Sequence, residues 1–86
     1  MISVDELIRE LYSLKGASEQ LATLLSYGGQ NLYNSTTVIT NLVRGSMTGQ
    51  EAAFSLSIAS KSLIDASATI LTLSRTCQNC IANLAK

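Results

Sequence analysis

The sequence predicts an all-α fold, an antiparallel two-helix hairpin that we expect to assemble into a four-helix bundle. Three observations predict it: apolar residues recur every seven positions in both halves, proline is absent, and a glycine-containing break lies near the middle. A seven-residue apolar repeat is typical of helices that pack along one seam. The chain is short enough for a single domain, residues 1–86. We expect helix one at about 3–44, a turn at about 45–48 and helix two at about 49–85.

Helix one is predicted from two columns of residues spaced seven apart. Most of these positions are apolar, as expected for a helix with one buried face. Ser3 followed by Glu6 indicates a capping box at the start of the helix. The first column contains Val4, Leu11, Ser18, Leu25, Leu32 and Ile39, and the second contains Leu7, Leu14, Leu21, Gly28, Ser35 and Leu42.

Two adjacent glycines, Gly28 and Gly29, are the weak point of helix one. Each costs about 1 kcal/mol of helix stability relative to alanine, so the pair could equally form a turn. The seven-residue repeat nevertheless continues without a shift from Leu25 to Leu32, which favours a continuous or kinked helix. A break that leaves a short middle helix is the alternative.

Helix two keeps the same spacing but alternates large residues with small ones. Small residues let two helix backbones approach closely, which favours tight packing over the alternative of a solvated Ser/Ala face. One column contains the larger residues Leu56, Leu63, Ile70, Cys77 and Leu84. The other two contain Ala53, Ser60, Ser67, Ser74 and Ile81, and Ala52, Ala59, Ala66, Leu73 and Cys80.

The chain has more apolar residues than a two-helix hairpin can bury, because a hairpin has no third layer. This surplus predicts burial against another chain, in a homodimer or in a complex with a second helical protein. The residues outside the columns are Ile8, Leu24, Val38, Val43, Phe54, Ile58, Ile64 and Leu71. We expect the partner interface to involve Leu11, Leu25, Leu32 and Ile39 of helix one, and Leu56, Leu63 and Ile70 of helix two.

The segment from Arg44 to Phe54 reads as a turn followed by a helix start. Gly45 is well placed to end helix one in a left-handed conformation, which glycine adopts at little cost. Either Ser46 or Thr48 can cap helix two, and Glu51 follows Thr48 at capping-box spacing.

The turn region also carries a resemblance to a known family. It reads Met47-Thr48-Gly49 and continues to Phe54. This resembles the small WXG-type proteins of type VII secretion systems, chains of about this length in which a Trp-x-Gly turn joins two long antiparallel helices. Gly49 and Phe54 match the family pattern, and Met47 stands at the tryptophan position. Ser/Thr-rich relatives that lack the tryptophan, the small helical partners of LXG-type toxins in Gram-positive bacteria, look closer still.

The resemblance implies a non-enzymatic role. Such proteins are secreted as folded helical dimers, or bind the helical N-terminal domain of a larger toxin and help present it to the export machinery. The usual export signal, an aromatic residue followed four residues later by an acid, is absent. We therefore expect a protein that is cytoplasmic before export and is retained, or secreted without a cleaved signal peptide through its partner. A self-assembling needle or filament subunit and a cytoplasmic chaperone are the alternatives.

Composition argues against several other functions. The six Lys and Arg residues are scattered and the net charge is +0, so no basic patch for nucleic acid is expected. The longest charge-free run, Gln20 to Val43, contains several Gln and Asn residues, which argues against a membrane span. The acidic, amphipathic N-terminus does not resemble a secretory signal.

The sequence also offers little reactive chemistry. Cys77 and Cys80 form a single C-x-x-C, and without histidine one chain cannot supply the four ligands of a zinc site. We expect the two thiols to pack as small apolar residues. A disulfide, a dimer cross-link and an intermolecular metal site are the alternatives. No general base or activated nucleophile is apparent, so we expect no enzymatic activity, no cofactor and no small-molecule substrate.

Overall fold

The computed structural model describes residues 3–86, which form an all-α helical hairpin. Helix α1 spans Val4–Leu42 and helix α2 spans Met47–Leu84. The helices are antiparallel, pack against each other and form a rod 62 Å long. The predicted all-α two-helix hairpin is confirmed, whereas its assembly into a four-helix bundle stays a prediction. The first two residues of the predicted domain lie outside the described part.

The reversal of the chain spans residues 43–46, which is the predicted length of four residues but two positions earlier than predicted. Helix α1 ends at Leu42, where the N–H of the capping residue Val43 still donates to the carbonyl oxygen of Ile39 at 2.9 Å. Gly45 has a φ of +89°, the left-handed conformation expected for a glycine at the end of a helix. The positive φ predicted for Gly45 is therefore confirmed, but Gly45 lies within the turn and does not end the helix. Helix α1 stops at Leu42, two residues before its predicted end.

Helix α2 begins two residues before its predicted start because Ser46, not Thr48, is its cap. The hydroxyl of Ser46 accepts a hydrogen bond of 3.2 Å from the N–H of Gly49. Thr48 lies inside the first turn, so a capping box of Thr48 and Glu51 is not formed. At the other end of the chain, the Ser3 hydroxyl accepts from the N–H of Glu6 at 3.1 Å, which is one of the two hydrogen bonds of the predicted capping box.

Helix α1 runs through Gly28 and Gly29 without a break, which settles the two alternatives in favour of the continuous helix. Gly29 is buried where the two helices touch. A Cβ atom there would lie 2.7 Å from Cγ1 of Ile64 and 3.1 Å from the carbonyl oxygen of Ser60. Only a glycine lets the two backbones approach this closely at that level of the rod.

Serines of α2 line the surface along which the two helices touch, which we call the hairpin seam. The hydroxyl of Ser60 donates to the carbonyl oxygen of Gly29 at 2.7 Å, and that of Ser67 donates to the carbonyl oxygen of Ala22 at 2.9 Å. Both serines are buried. Tight packing of small residues is thus confirmed for the serine column: Ala53, Ser60, Ser67, Ser74 and Ile81 are all buried.

The hairpin contains very little apolar interior. The buried hydrophobic residues of the described chain are Ala22, Ala53, Cys77 and Ile81, none of which is a large aromatic or leucine side chain. The accessible surface is 6246 Å², whereas a compact monomer of 9.1 kDa exposes about 4,900 Å². Most of the large apolar side chains therefore lie on the outside of the rod.

Candidate protein-binding face

The hairpin has two broad faces, and contacts across the seam show which residues share each face. A Cβ atom on Gly28 would lie 3.5 Å from Cδ1 of Leu63, whereas Gly29 lies against Ile64. Gly28 and Leu63 therefore mark one face, and Gly29 and Ile64 mark the other. Residues seven positions apart lie on the same side of a helix, so each contact assigns a whole column.

The face marked by Gly28 and Leu63 is the apolar face. Helix α1 contributes leucines and a valine to it, interrupted by Asn31 and Ser35, and helix α2 contributes mostly alanines. Leu24 is 68% exposed and Leu21 is 46% exposed. The large residues of α1 on this face are Leu7, Leu14, Leu21, Leu24, Val38 and Leu42. The α2 residues nearest the seam on this face are Ala52, Ala59, Ala66, Leu73 and Cys80.

Charge is almost absent from the apolar face. All twelve charged side chains lie within the described residues, and only Glu10 falls in the columns that form this face. It lies near the open end of the hairpin, away from the turn. Behind the alanines, the outer column of α2 on this side contains only Thr48, Ser55, Ser62, Thr69, Thr76 and Asn83.

The opposite face, marked by Gly29 and Ile64, is the charged face. Lys15 and Glu19 form an ion pair of 2.7 Å on it, and Ser74 donates to the same Glu19 oxygen at 3.2 Å. The hydrogen bond and the charge of Lys15, followed by the hydrogen bond from Ser74, hold the pKa of Glu19 below its ordinary value. Lys61 pairs with Asp65 at 2.9 Å near this face.

The seven residues predicted to form the partner interface lie along one border. All are half-buried, because they lie in two columns, one on each helix, at the border between the hairpin seam and the apolar face. Part of each side chain is therefore used inside the hairpin, and the rest borders the open face. They are Leu11, Leu25, Leu32, Ile39, Leu56, Leu63 and Ile70.

Sequence reasoning missed that the surplus apolar residues divide between different sides of the hairpin. Leu24 and Val38 lie on the apolar face, whereas Ile64 and Leu71 lie on the charged face. The alanine column, expected to favour close packing inside the hairpin, is mostly exposed instead. The sequence did carry one signal for the apolar face, since Glu10 is the one charged residue in its columns.

The residues of the predicted turn motif divide into two glycines that shape the turn region and two exposed apolar side chains. A Cβ atom on Gly49 would overlap the side chain of Val43, so Gly49 lets the start of α2 pack on the end of α1. Gly45 supplies the left-handed turn. Met47 and Phe54 are both exposed and lie two turns apart on the same side of α2.

The cysteines have different environments. Cys77 is buried in the hairpin seam, as the packing prediction requires, whereas Cys80 is exposed on the apolar face. Both thiols are free. Within residues 3–86, no group of three or more His, Cys, Asp or Glu side chains is placed to hold a metal ion.

A shallow open groove crosses the charged face, between Thr23 and Ser26 of α1 and Leu71 of α2. Helix α2 is the one described helix long and apolar enough to cross a membrane, since it contains an 18-residue stretch with a mean hydropathy of 1.2. Helices of soluble proteins meet the same criterion, so it does not by itself place the chain in a membrane.

No protein-family model, curated protein or solved structure matches this chain.

Proposed function

We propose that this protein is a non-enzymatic helical adaptor that binds another helical protein through its apolar face. The observation that carries the proposal is the broad, nearly charge-free surface of exposed leucines on a hairpin in which Ile81 is the one large apolar side chain buried among the described residues. Contiguous exposed apolar surface of this extent marks an interaction site in a soluble protein.

The apolar face is large enough for a stable interface. It follows a rod 62 Å long and 14 to 19 Å across, whereas a standard protein interface buries about 800 Å² on each partner. Burying one exposed leucine contributes about 1.5–3 kcal/mol, and several leucines lie on this face. Depletion of charged residues is also typical of the centre of an interface.

The resemblance in the turn region specifies the proposal further. Gly45, Met47, Gly49 and Phe54 occupy the region in which WXG-type proteins carry their turn motif. The proposed role is in type VII secretion, as a targeting or chaperone partner for an effector. The proposed partner is the helical N-terminal domain of an LXG-type effector or a second small helical protein. The adaptor would act in the cytoplasm before export and leave the cell with its partner, without a cleaved signal peptide.

Co-expression with the helical N-terminal domain of an LXG-type protein encoded beside this chain tests the proposal. The two should co-purify as a soluble complex of defined mass in light scattering. Leu24→Glu should abolish the complex, because it places a charge in the centre of the apolar face. Thr23→Glu is the matched control, since it adds the same charge on the charged face and should leave the complex intact.

Two results would contradict the proposal. One is the absence of a complex with wild-type protein when both chains are soluble and helical by circular dichroism. The other is equal loss of binding in both variants, which would move the contact away from the apolar face. Growth into filaments instead of a complex of finite mass would favour a structural subunit.

A further inference from the structure

Contacts across the seam show which residues of α1 and α2 lie at the same level along the rod. Ser60 is level with Gly29, and Ser67 is level with Ala22. Gly28 lies beside Leu63. The residue numbers of level pairs therefore total about 90 throughout the middle of the hairpin.

This relation reveals a size pattern across the apolar face. Leu24 of α1 is level with Ala66 of α2, and Val38 is level with Ala52. The pattern inverts at one level, where the small residue is Ala17 of α1 and the large one is Leu73 of α2. At each of these three levels, one helix presents a large apolar side chain and the other presents an alanine.

We propose that a second copy of this chain binds the apolar face in a parallel dimer, with the two-fold axis running along the rod. Such a rotation keeps every residue at its own level and places α1 of one copy over α2 of the other, antiparallel to it. Leu24 then lies over Ala66 of the second copy, and Ala17 lies over Leu73 of the second copy. The product is a four-helix bundle with both turns at the same end.

Packing density favours this arrangement over the other two-fold arrangement. A rotation about an axis across the rod places α1 over α1 and α2 over α2. Leucines would then face leucines and alanines would face alanines, so one half of the interface would be overfilled and the other would contain gaps. Protein interiors are close-packed, and both overfilling and voids are destabilising.

The area and charge of the face also suit a second copy. The face follows a rod 62 Å long and up to 19 Å across, which leaves room for the about 800 Å² per partner of a standard interface, and it meets itself with no like-charge pair in the centre. Glu10, its one charged residue, is level with Cys80 at the open end of the rod. Water reaches the carboxylate there, so a dimer does not need to bury it. The inference goes beyond the proposed adaptor function, because it specifies self-association and its geometry. Both contacts use the apolar face, so an effector domain would bind by replacing the second copy.

Light scattering combined with size exclusion tests the stoichiometry. At about 50 µM the wild-type chain should elute with the mass of a dimer, because an interface of this area commonly supports micromolar or tighter affinity. Leu24→Glu should elute as a helical monomer, and Thr23→Glu should remain a dimer. A monomeric wild-type protein, or a Leu24→Glu variant that still dimerises, would overturn the inference.

Cysteine cross-linking tests the geometry in a Cys77→Ala, Cys80→Ala background. Mixing separately purified Leu24→Cys and Ala66→Cys chains under mild oxidation should give a disulfide-linked dimer, because these positions face each other across the parallel interface. Leu24→Cys alone should cross-link poorly, since the two α1 helices lie diagonally opposite. Leu24 lies near the middle of α1, so in the α1-over-α1 arrangement it would face Leu24 of the second copy. That arrangement therefore predicts strong cross-linking of Leu24→Cys alone and weak cross-linking of the mixture. Strong cross-linking of Leu24→Cys alone would therefore overturn the parallel dimer.

The same reagents separate this inference from the proposed function. A wild-type monomer that still binds an LXG-type helical domain through Leu24 would overturn the dimer and leave the adaptor function intact. A parallel dimer that binds no such domain would support the dimer and remove the adaptor function.

Discussion

The Ser60 hydroxyl on α2 donates a hydrogen bond of 2.7 Å to the backbone carbonyl oxygen of Gly29 on α1. This bond joins the helices at a level where Gly29 lets their backbones approach closely. Ser60→Ala should lower the free energy of unfolding by about 1 kcal/mol, the usual net contribution of such a bond. Urea denaturation followed by circular dichroism measures the change. Ser62→Ala, on the exposed side of α2, is the control and should have little effect.

The adjacent glycines should respond oppositely to alanine. At Gly28 the new Cβ would make an ordinary contact of 3.5 Å, so the gain in helix propensity should stabilise the hairpin by about 0.5–1 kcal/mol. At Gly29 the Cβ would crowd Ile64 and the Ser60 carbonyl, and overpacking costs about 1–3 kcal/mol. Thermal unfolding should therefore rank Gly28→Ala above wild type and Gly29→Ala below it. Equal stabilisation of both variants would show that the helices are not in close contact at Gly29.

The cap of α2 can be tested by two neighbouring substitutions. Ser46→Ala should cost about 1 kcal/mol, because it removes the acceptor for the N–H of Gly49. Thr48→Ala should change stability little, since Thr48 lies within the first helical turn and is exposed. Chemical denaturation of both variants gives the comparison. A larger loss for Thr48→Ala would place the start of the helix two residues later.

Acid should weaken the hairpin partly through Glu19. Its pKa is held below the ordinary value of 4.5 by Lys15 and Ser74, so the folded state prefers the ionised form. Stability from this group is full above the pKa of the unfolded chain and is lost as the pH falls through the lower folded pKa. In Glu19→Gln, the decrease in Tm between about pH 6 and about pH 3 should be smaller than in wild type. An unchanged decrease would show that Glu19 is not coupled to folding.

The two thiols should differ in reactivity. Cys77 is 2% exposed in the seam, whereas Cys80 is open on the apolar face of the isolated hairpin. A thiol reagent should therefore label Cys80 in native protein and reach Cys77 only after unfolding. Mass spectrometry after brief labelling identifies the modified residue. Rapid labelling of Cys77 would contradict its burial in the seam.

The hairpin could be predicted from the sequence because seven-residue spacing identifies the residues that share one side of a helix. Gly45 could also be predicted, since few residues other than glycine adopt a positive φ readily. The rotation of one helix against the other could not be predicted, because that spacing is the same for every rotation. Close contact at Gly29 sets this rotation, which buries the serine column and leaves the alanine column open.

The three cross-seam bonds of Ser60, Ser67 and Ser74 close loops of 31, 45 and 55 residues, respectively. Loop-closure entropy grows only logarithmically, so once the first bond has formed each later one costs about 0.2–0.3 kcal/mol more. The hairpin is therefore built to close in sequence outward from Gly45. Unfolding should start at the end of the rod that holds both chain termini and proceed toward the turn.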